Sequence, residues 1–576
     1  MLRSFLSFLA IFALFASLPF FELQFYEGHT DPGISAYFNC IITSIPDHLP
    51  NDGNWKYIGH LFAQLYTSFP TFDWYGFTMI LFSSLAAFIF IQNIQLLHKT
   101  LPTNAMGNSV RVVLIGCFFL YLENIVLLEF TRMSFSLGFM GFLSIATYPL
   151  AKAKNKTNLN FPLLGLLAVV LSGLVRIQPA LLSLVVVLPL FIFFWMQSKT
   201  TFSQAAKNLI LPIAFLSILV SISNVAETQT DKEIVENAGY LINIWDVKPT
   251  ESDFKLENRI DSLTYEMAKI HFMNDIENIN SIFFEKIGVR YTRKQVNSIA
   301  NLLSNNISIV NKFKDQGIGS MQRHSGWSAL LFAIFLLATY TNRNDRQRLI
   351  QITLMLGYFL ALYFSIAVFI KMADRIFSPL FLAFCVSMAF MINPNKTTTD
   401  SQNYSKVYTG FSFLLLGLFV LEMSFSINLF QTRKADVSYR NTVLKYANKL
   451  DVKYQFVGFV SGWLYSKPFQ QEDIINPKTT YLSIDNQAFC YIATYKEKMK
   501  NETGHSSAEG YWKFMKANAS DCIIISEEGR LNKIVEYVNL QYNLNLKIEP
   551  IIVDFKEYLD DAPENAWSAG IFRITG

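Results

Sequence analysis

Runs of about 20 consecutive apolar residues, the length that crosses the hydrocarbon core of a bilayer, recur along this chain and limit what it can fold into. They lie near residues 4–22, 75–97, 110–130, 133–150, 208–224, 326–341, 350–370, 376–392 and 409–430. A further stretch, 161–196, is too long for one helix. It carries LVRIQPA in its middle, so Arg176 and Pro179 mark a turn between two shorter helices. The expectation is about 11 spans. A chain that is 52% hydrophobic and only 16% charged fits that class and not a soluble enzyme of the same size. The first run has the basic start of a signal peptide, but no A-x-A-like cleavage pattern follows it, and residues 4–22 are read as a retained first span.

Charge excludes one function class. The net charge is +4 and the Lys and Arg residues are scattered, so no basic domain or arginine-rich tail points to nucleic acid. The five cysteines, Cys40, Cys117, Cys385, Cys490 and Cys522, show no CxxC or Cys/His spacing, which argues against a structural zinc site. Cys490 and Cys522 share one polar region, where a disulfide between them is left open.

Basic residues in the short connections set the orientation. With a cytoplasmic N-terminus, the inner loops carry Lys99, Arg111, Lys152, Lys154, Lys156, Lys199, Lys207, Arg343, Arg346, Arg348, Lys396 and Lys406. The short outer connections carry only Arg132, Arg176, Lys371 and Arg375. This bias places residues 23–74, 225–325 and 431–576 outside. Domain organisation is then a membrane domain over 1–430, with outer loops 23–74 and 225–325, followed by an extracytoplasmic domain over 431–576.

The four outer basic residues are the exceptions to the rule, and all sit at the outer ends of spans. Two readings apply: they snorkel to headgroups or pair with nearby acids, or they form a shared phosphate site, because arginine presents a fixed fork of donors that matches phosphate oxygens. The first outer loop carries ELQFYEGHTDPGISAYF, with Glu27, His29 and Asp31 within five positions. Asp31 precedes Pro32, a pair that commonly starts a helix. Glu27 and His29 read equally as solvated loop residues, and a divalent ion held by the three is a weak alternative because their spacing is irregular. Residues 34–45 and 55–69 each place apolar side chains on one helical face and are expected as amphipathic helices on the outer membrane surface.

The C-terminal segment changes character. Candidate strands YQFVGFV, TTYLSI, DCIIIS, LKIEPIIVDF and GIFRIT alternate with helical stretches such as AEGYWKFMKANA and RLNKIVEYVNLQYN, which predicts a small α/β domain. It has no GxGxxG, P-loop or GxSxG elbow, so binding or positioning is its default role.

One span, an acidic outer loop with amphipathic helices, many spans with basic outer ends and an extracytoplasmic C-terminal domain together resemble the GT-C class of membrane glycosyltransferases. The texts TDPGISAYFN, GHLFAQLYTSFPTFDWYG, EFTRMSFSLGFMG and LVRIQP also resemble large bacterial membrane proteins of this layout, over most of residues 1–392. The resemblance implies sugar transfer from a polyprenyl-phosphate donor, its tail in the bilayer of a bacterial cytoplasmic membrane, to a glycan, lipid or protein acceptor at the outer face. It implies Asp31 as the base for the acceptor hydroxyl, with Glu27 as second choice, and Arg132, Arg176 and Arg375 against the departing phosphate. His29 and Lys371 complete the expected substrate-binding set. The two carboxylates stand four residues apart around His29, where the family has them adjacent or separated by one residue, so a requirement for a divalent metal is left open. A polysaccharide flippase, polymerase or transporter, with Glu123 as an intramembrane polar residue, is the first alternative, although no internal repeat is evident. A non-enzymatic envelope assembly protein is the second.

Overall fold

The structure is a computed structural model. It describes the chain apart from residues 1, 27–33, 35–57, 99–100, 102, 154–159, 199–201, most of 226–253, 271, 273–274, 290–312, 320, 322–324, 371–373, 393–401, 459–466, most of 470–477, 485–492, 554, 556–568. Two compact units divide it. One comprises residues 1–24, 78–225 and 299–430, and the other 25–77, 226–298 and 431–576.

The first unit is helical, and a helix coincides with each apolar run of the sequence. Leu2–Ser17, Trp74–His98 from Thr78 onward, Ala105–Tyr121, Phe130–Ala153, Phe202–Val225, Ser325–Thr341, Arg346–Ser365, Asp374–Phe390 and Gln402–Ala447 as far as Phe430 are joined by the pair Asn160–Val175 and Ile177–Ser198. That pair is broken at Arg176, where the long apolar stretch was expected to turn. Six helical segments among the described residues are long and apolar enough to cross a membrane, Ser4–Phe21 and Ile177–Phe194 among them. The chain is a polytopic helical membrane protein. Leu163, Ile210, Leu354 and Phe413 are exposed on these helices, as expected where the neighbour is lipid and burial of apolar side chains carries no penalty or gain.

Helix Phe130–Ala153 lies at the centre of the unit, packed on Asn160–Val175 and Ile177–Ser198. Small residues let the backbones approach: a Cβ on Gly141 would stand 2.6 Å from the Gly165 carbonyl oxygen. Polar side chains then bond across the helices, because hydrocarbon offers them nothing else. Ser172 Oγ donates to the Ser134 carbonyl at 2.7 Å. Asn93 Nδ2 donates to Ser144 Oγ at 2.9 Å and its Oδ1 accepts from Thr147 Oγ1 at 3.1 Å.

The second unit holds a five-stranded sheet of β1 (Tyr454–Val457), β2 (Thr480–Ser483), β3 (Cys522–Ser526), β4 (Lys547–Ile552) and β5 (Gly570–Thr575). The order is β2-β1-β3-β5-β4. β1 pairs in parallel with both β2 and β3, whereas β5 runs antiparallel to β3 and to β4. The hydrophobic run of β3 is buried along its whole length, which requires cover on both faces. Helices Ala493–Thr503, Ala508–Ala517 and Glu528–Tyr542 accompany the sheet, so the α/β character expected of the C-terminal segment is present. Among the described residues Cys522 is a free thiol buried in β3, and Cys490 lies outside them.

Within the same unit, the expected amphipathic helix at 55–69 is seen over Gly59–Ser68. Phe62 and Tyr66 are buried while Leu61 and Phe69 remain exposed, so only part of the apolar face is packed inside the unit. The described part of 226–298 explains some of its many asparagines: Asn258 and Asn280 cap helices Arg259–Lys269 and Ser281–Lys286, accepting from the amides of Asp261 and Phe283. Buried Asp275 ties this segment to helix Glu528–Tyr542 by accepting from the hydroxyls of Tyr537 and Tyr542, each at 2.6 Å.

Candidate functional site

The candidate site starts from the first turn of helix Phe130–Ala153. Its amides need acceptors, since the first turn of any helix leaves them without intrahelical partners. Glu129 supplies one: its backbone carbonyl accepts from Met133 and its Oε2 accepts from the Arg132 amide at 2.7 Å. A negative charge here also complements the positive end of the helix.

Arg132 then turns inward. It is 1% exposed, and its Nη1 stands 2.6 Å from Glu123 Oε1, a carboxylate that is itself buried. The Glu123 carboxylate further accepts from Ser378 Oγ at 3.2 Å and Ser426 Oγ at 2.6 Å. Four helical segments therefore meet on one carboxylate: the short turn Glu123–Val126 that carries it, the starts of Phe130–Ala153 and Asp374–Phe390, and the middle of Gln402–Ala447. An ionised pair out of water is tolerable only with such additional hydrogen bonds.

Arg176 reaches the same turn from the break between its two helices. Its Nη1 donates to Thr131 Oγ1 at 2.9 Å and its guanidinium lies over the Phe130 ring, 5.4 Å from the centroid. Its backbone carbonyl accepts from Ser134 Oγ at 3.1 Å. Arg375 comes from the start of helix Asp374–Phe390, with Nη1 3.9 Å from Glu129 Oε1 and 43% of its side chain exposed. Glu129 and Arg132 of this turn are thus joined by Glu123, Arg176 and Arg375, which brings three arginines and two glutamates together.

Arg132, Arg176 and Arg375, singled out in the sequence as exceptions to the inner bias of basic residues, converge on one helix start. Their environments differ. Arg132 is enclosed and neutralised by Glu123, Arg176 is half-buried against an aromatic ring, and Arg375 is exposed, with a long ion contact to Glu129. Of the other expected site residues, Glu27, His29, Asp31 and Lys371 lie outside the described residues. Among the described residues no group of three His, Cys, Asp or Glu side chains is placed to hold a metal ion.

Two further polar arrangements belong to the second unit. Arg433 Nε donates to the carbonyl of Tyr26, the last described residue before the acidic stretch, at 2.8 Å. Arg433 and Arg440 both pair with Asp436, each through a nitrogen at 2.6 Å, and this i, i+3 and i, i+4 spacing on one helix was readable in the sequence. Asp73 caps helix Trp74–His98: its Oδ1 accepts from the Gly76 amide at 2.9 Å and from Tyr66 Oη at 3.1 Å. Its Oδ2 accepts from the amide of Phe469 at 2.9 Å, a residue held at φ 52°. Burial pushes the Asp73 carboxyl above the ordinary carboxylate range, partly offset by the hydrogen bonds it accepts. The signal for this residue was an aspartate immediately before an apolar run.

No family model matches the chain, and no curated protein matches it. A solved structure of similar layout is the crystal structure of ArnT from Cupriavidus metallidurans in the apo state, 9% identical, aligned over 97% of each chain at a TM-score of 0.43.

Proposed function

We propose that this chain is a membrane glycosyltransferase that moves a sugar from a polyprenyl-phosphate donor to a cell-envelope glycan, lipid or protein acceptor at the outer face of a bacterial cytoplasmic membrane. The observation that carries the reading is the gathering of Arg132, Arg176 and Arg375 around residues 129–132 at one end of the helices. The scarcity of basic residues in the short outer connections assigns that end to the outside.

In this reading the leaving phosphate is met by arginines already in place, so the charge that builds as the glycosidic bond breaks is stabilised without reorganisation at that moment. Arg375 is the group open to the donor, with Arg176 behind it. Arg132 holds the helix start in position through Glu123 and touches no substrate. Asp31 takes the proton of the acceptor hydroxyl as its oxygen attacks the anomeric carbon. Glu27 is the second choice for that role, and His29 and Lys371 contribute to binding.

Envelope glycans and lipids compared with and without the protein identify the transferred sugar. With that product as the readout, Asp31→Asn is expected to abolish transfer while expression and membrane insertion stay normal. Arg375→Ala is expected to lower turnover by about 10²–10³, the effect of removing one preorganised donor. Unchanged turnover in both variants overturns the assignment.

A further inference from the structure

The second unit carries an apolar corner that the transferase reading does not use. It lies between helix Gly59–Ser68 and the start of helix Trp74–His98. Phe69 is 59% exposed and Phe72 38%. Both rings pack on Trp74, with centroids 6.1 and 4.5 Å away, and Phe72 also meets Phe77 at 5.6 Å and Phe469 at 5.9 Å. Exposed Leu61 and half-buried Leu65 lead to Phe69 at i, i+4 spacing, a row that lies between buried Phe62 and Tyr66 on one side and exposed His60, Gln64 and Thr67 on the other. Apolar side chains exposed one at a time need no explanation, but a contiguous patch marks a surface that meets a partner.

Charge and position decide which partner. Residues 57–98 contain a single Asp, Glu, Lys or Arg, which is Asp73. Its carboxylate is occupied inside the corner, accepting from the Gly76 amide, the Tyr66 hydroxyl and the Phe469 amide. The patch therefore offers no charge to a polar partner. Helix Trp74–His98 is among those long and apolar enough to cross a membrane. Its 25 residues make a rod of about 37 Å, and a hydrocarbon core of about 30 Å leaves roughly 7 Å to share between its two ends. Trp74 thus stands at a boundary of the core, where tryptophan is enriched, and Phe69 and Phe72, in contact with it, stand there as well.

The backbone of the corner suits that place, because polar main-chain groups that enter lipid need partners within the protein. The Phe69 amide donates to the Leu65 carbonyl at 2.8 Å, and the Phe69 carbonyl accepts from the Phe72 amide and from Trp74 Nε1, each at 3.3 Å. The Trp74 amide donates to the Phe72 carbonyl at 2.9 Å, and Pro70 has no amide to satisfy. We propose that the corner built by Phe69, Phe72 and Trp74, with Phe469 behind it, inserts into the headgroup–acyl boundary of the bilayer and gives the second unit a lipid contact of its own. The contact goes beyond the surface helix expected from the sequence, since it joins a segment of the C-terminal region to the bilayer through Phe469. It does not depend on the transfer chemistry.

The test is a depth measurement by spin-label electron paramagnetic resonance, on the full chain in vesicles of phosphatidylcholine and phosphatidylglycerol. Phe69→Cys, Phe72→Cys and Gln64→Cys are made one at a time in a background carrying Cys40→Ser and Cys490→Ser, and each is labelled with a nitroxide. Cys117, Cys385 and Cys522 are buried and stay unlabelled. Collisions with oxygen, which concentrates in lipid, are expected to exceed collisions with a water-soluble nickel chelate at positions 69 and 72. The order is expected to reverse at position 64, on the polar side of helix Gly59–Ser68. Phe69, the more exposed of the two rings, supplies the reading where Phe72→Cys fails to fold. Nickel collisions in excess at 69 and 72, the same order at all three positions, or protection from both reagents because a second copy or another segment of the chain covers the patch, each overturns the proposal.

Discussion

Removing the charge of Glu123 is expected to be among the most destabilising single changes in the helical unit. In Glu123→Gln the side chain keeps its length and one acceptor oxygen, so the contacts with Ser378 and Ser426 can be rebuilt and little packing is lost. What remains is Arg132, 1% exposed and always charged, 2.6 Å from a group that no longer carries a counter-charge. Breaking a buried pair from one side costs about 3–5 kcal/mol, because the surviving ion stays buried and uncompensated. Arg132→Met is expected to cost a similar amount for the reciprocal reason. The double variant removes both charges and is expected to be less destabilised than either single one, a coupling of opposite sign to additivity. Unfolding of the detergent-solubilised protein by sodium dodecyl sulfate, followed by circular dichroism, gives the four free energies. If Glu123→Gln stays within about 0.5 kcal/mol of the parent, or the double variant equals the sum of the singles, the pair does not hold the helix start and its burial has been misread.

Asp73 has a pH signature whose sign follows from its raised carboxyl. The folded state keeps the proton to higher pH than the unfolded state does, so its contribution to stability is full below the ordinary carboxylate range and falls as pH rises through the raised value. Asp73→Asn is expected to remove that fall, seen as a free-energy difference from the parent that varies with pH between acid and neutral; a constant difference refutes it. Gly76→Ala is expected to disrupt the same corner, since its Cβ would overlap Asp73 Oδ2 and lie 2.8 Å from Pro468 Cβ; an unchanged melting temperature counts against it. Burial, with Asp521 adding to it, pushes the Cys522 thiol up to about 12. N-ethylmaleimide at pH 8 is therefore expected to leave Cys522 unmodified in the native protein and to label it only after denaturation, as read by peptide mass mapping.

Much of the fold was legible because the signals are local. Twenty apolar residues in a row leave few alternatives to a helix, and short β-prone runs set between helical stretches located all five strands of the C-terminal sheet. The break at Arg176 followed from one charge and one proline in an apolar text. The arginines of the candidate site were legible for a different reason: Arg132, Arg176 and Arg375 stood against the charge bias of the connections. The other partners of Glu123 were not legible, because they are remote and ordinary. Ser378 and Ser426 reach Glu123 across 255 and 303 residues, and a serine in an apolar helix looks the same whether it bonds its own backbone or a distant carboxylate. Phe469 reaches Asp73 across 396.

Residue type alone therefore could not separate Arg132 from Arg375, which share a chemistry and an end of the helices. Burial separates them. A guanidinium enclosed with its own carboxylate has its charge matched before any ligand arrives, so it can set geometry but has little field left for a phosphate. One that is nearly half exposed, with its carboxylate contact among the described residues at 3.9 Å, can exchange that contact for a ligand oxygen at hydrogen-bond distance without a buried guanidinium left behind. Substitution of Arg375 should therefore act on turnover and substitution of Arg132 on stability, which is the division of roles that the two sets of variants measure.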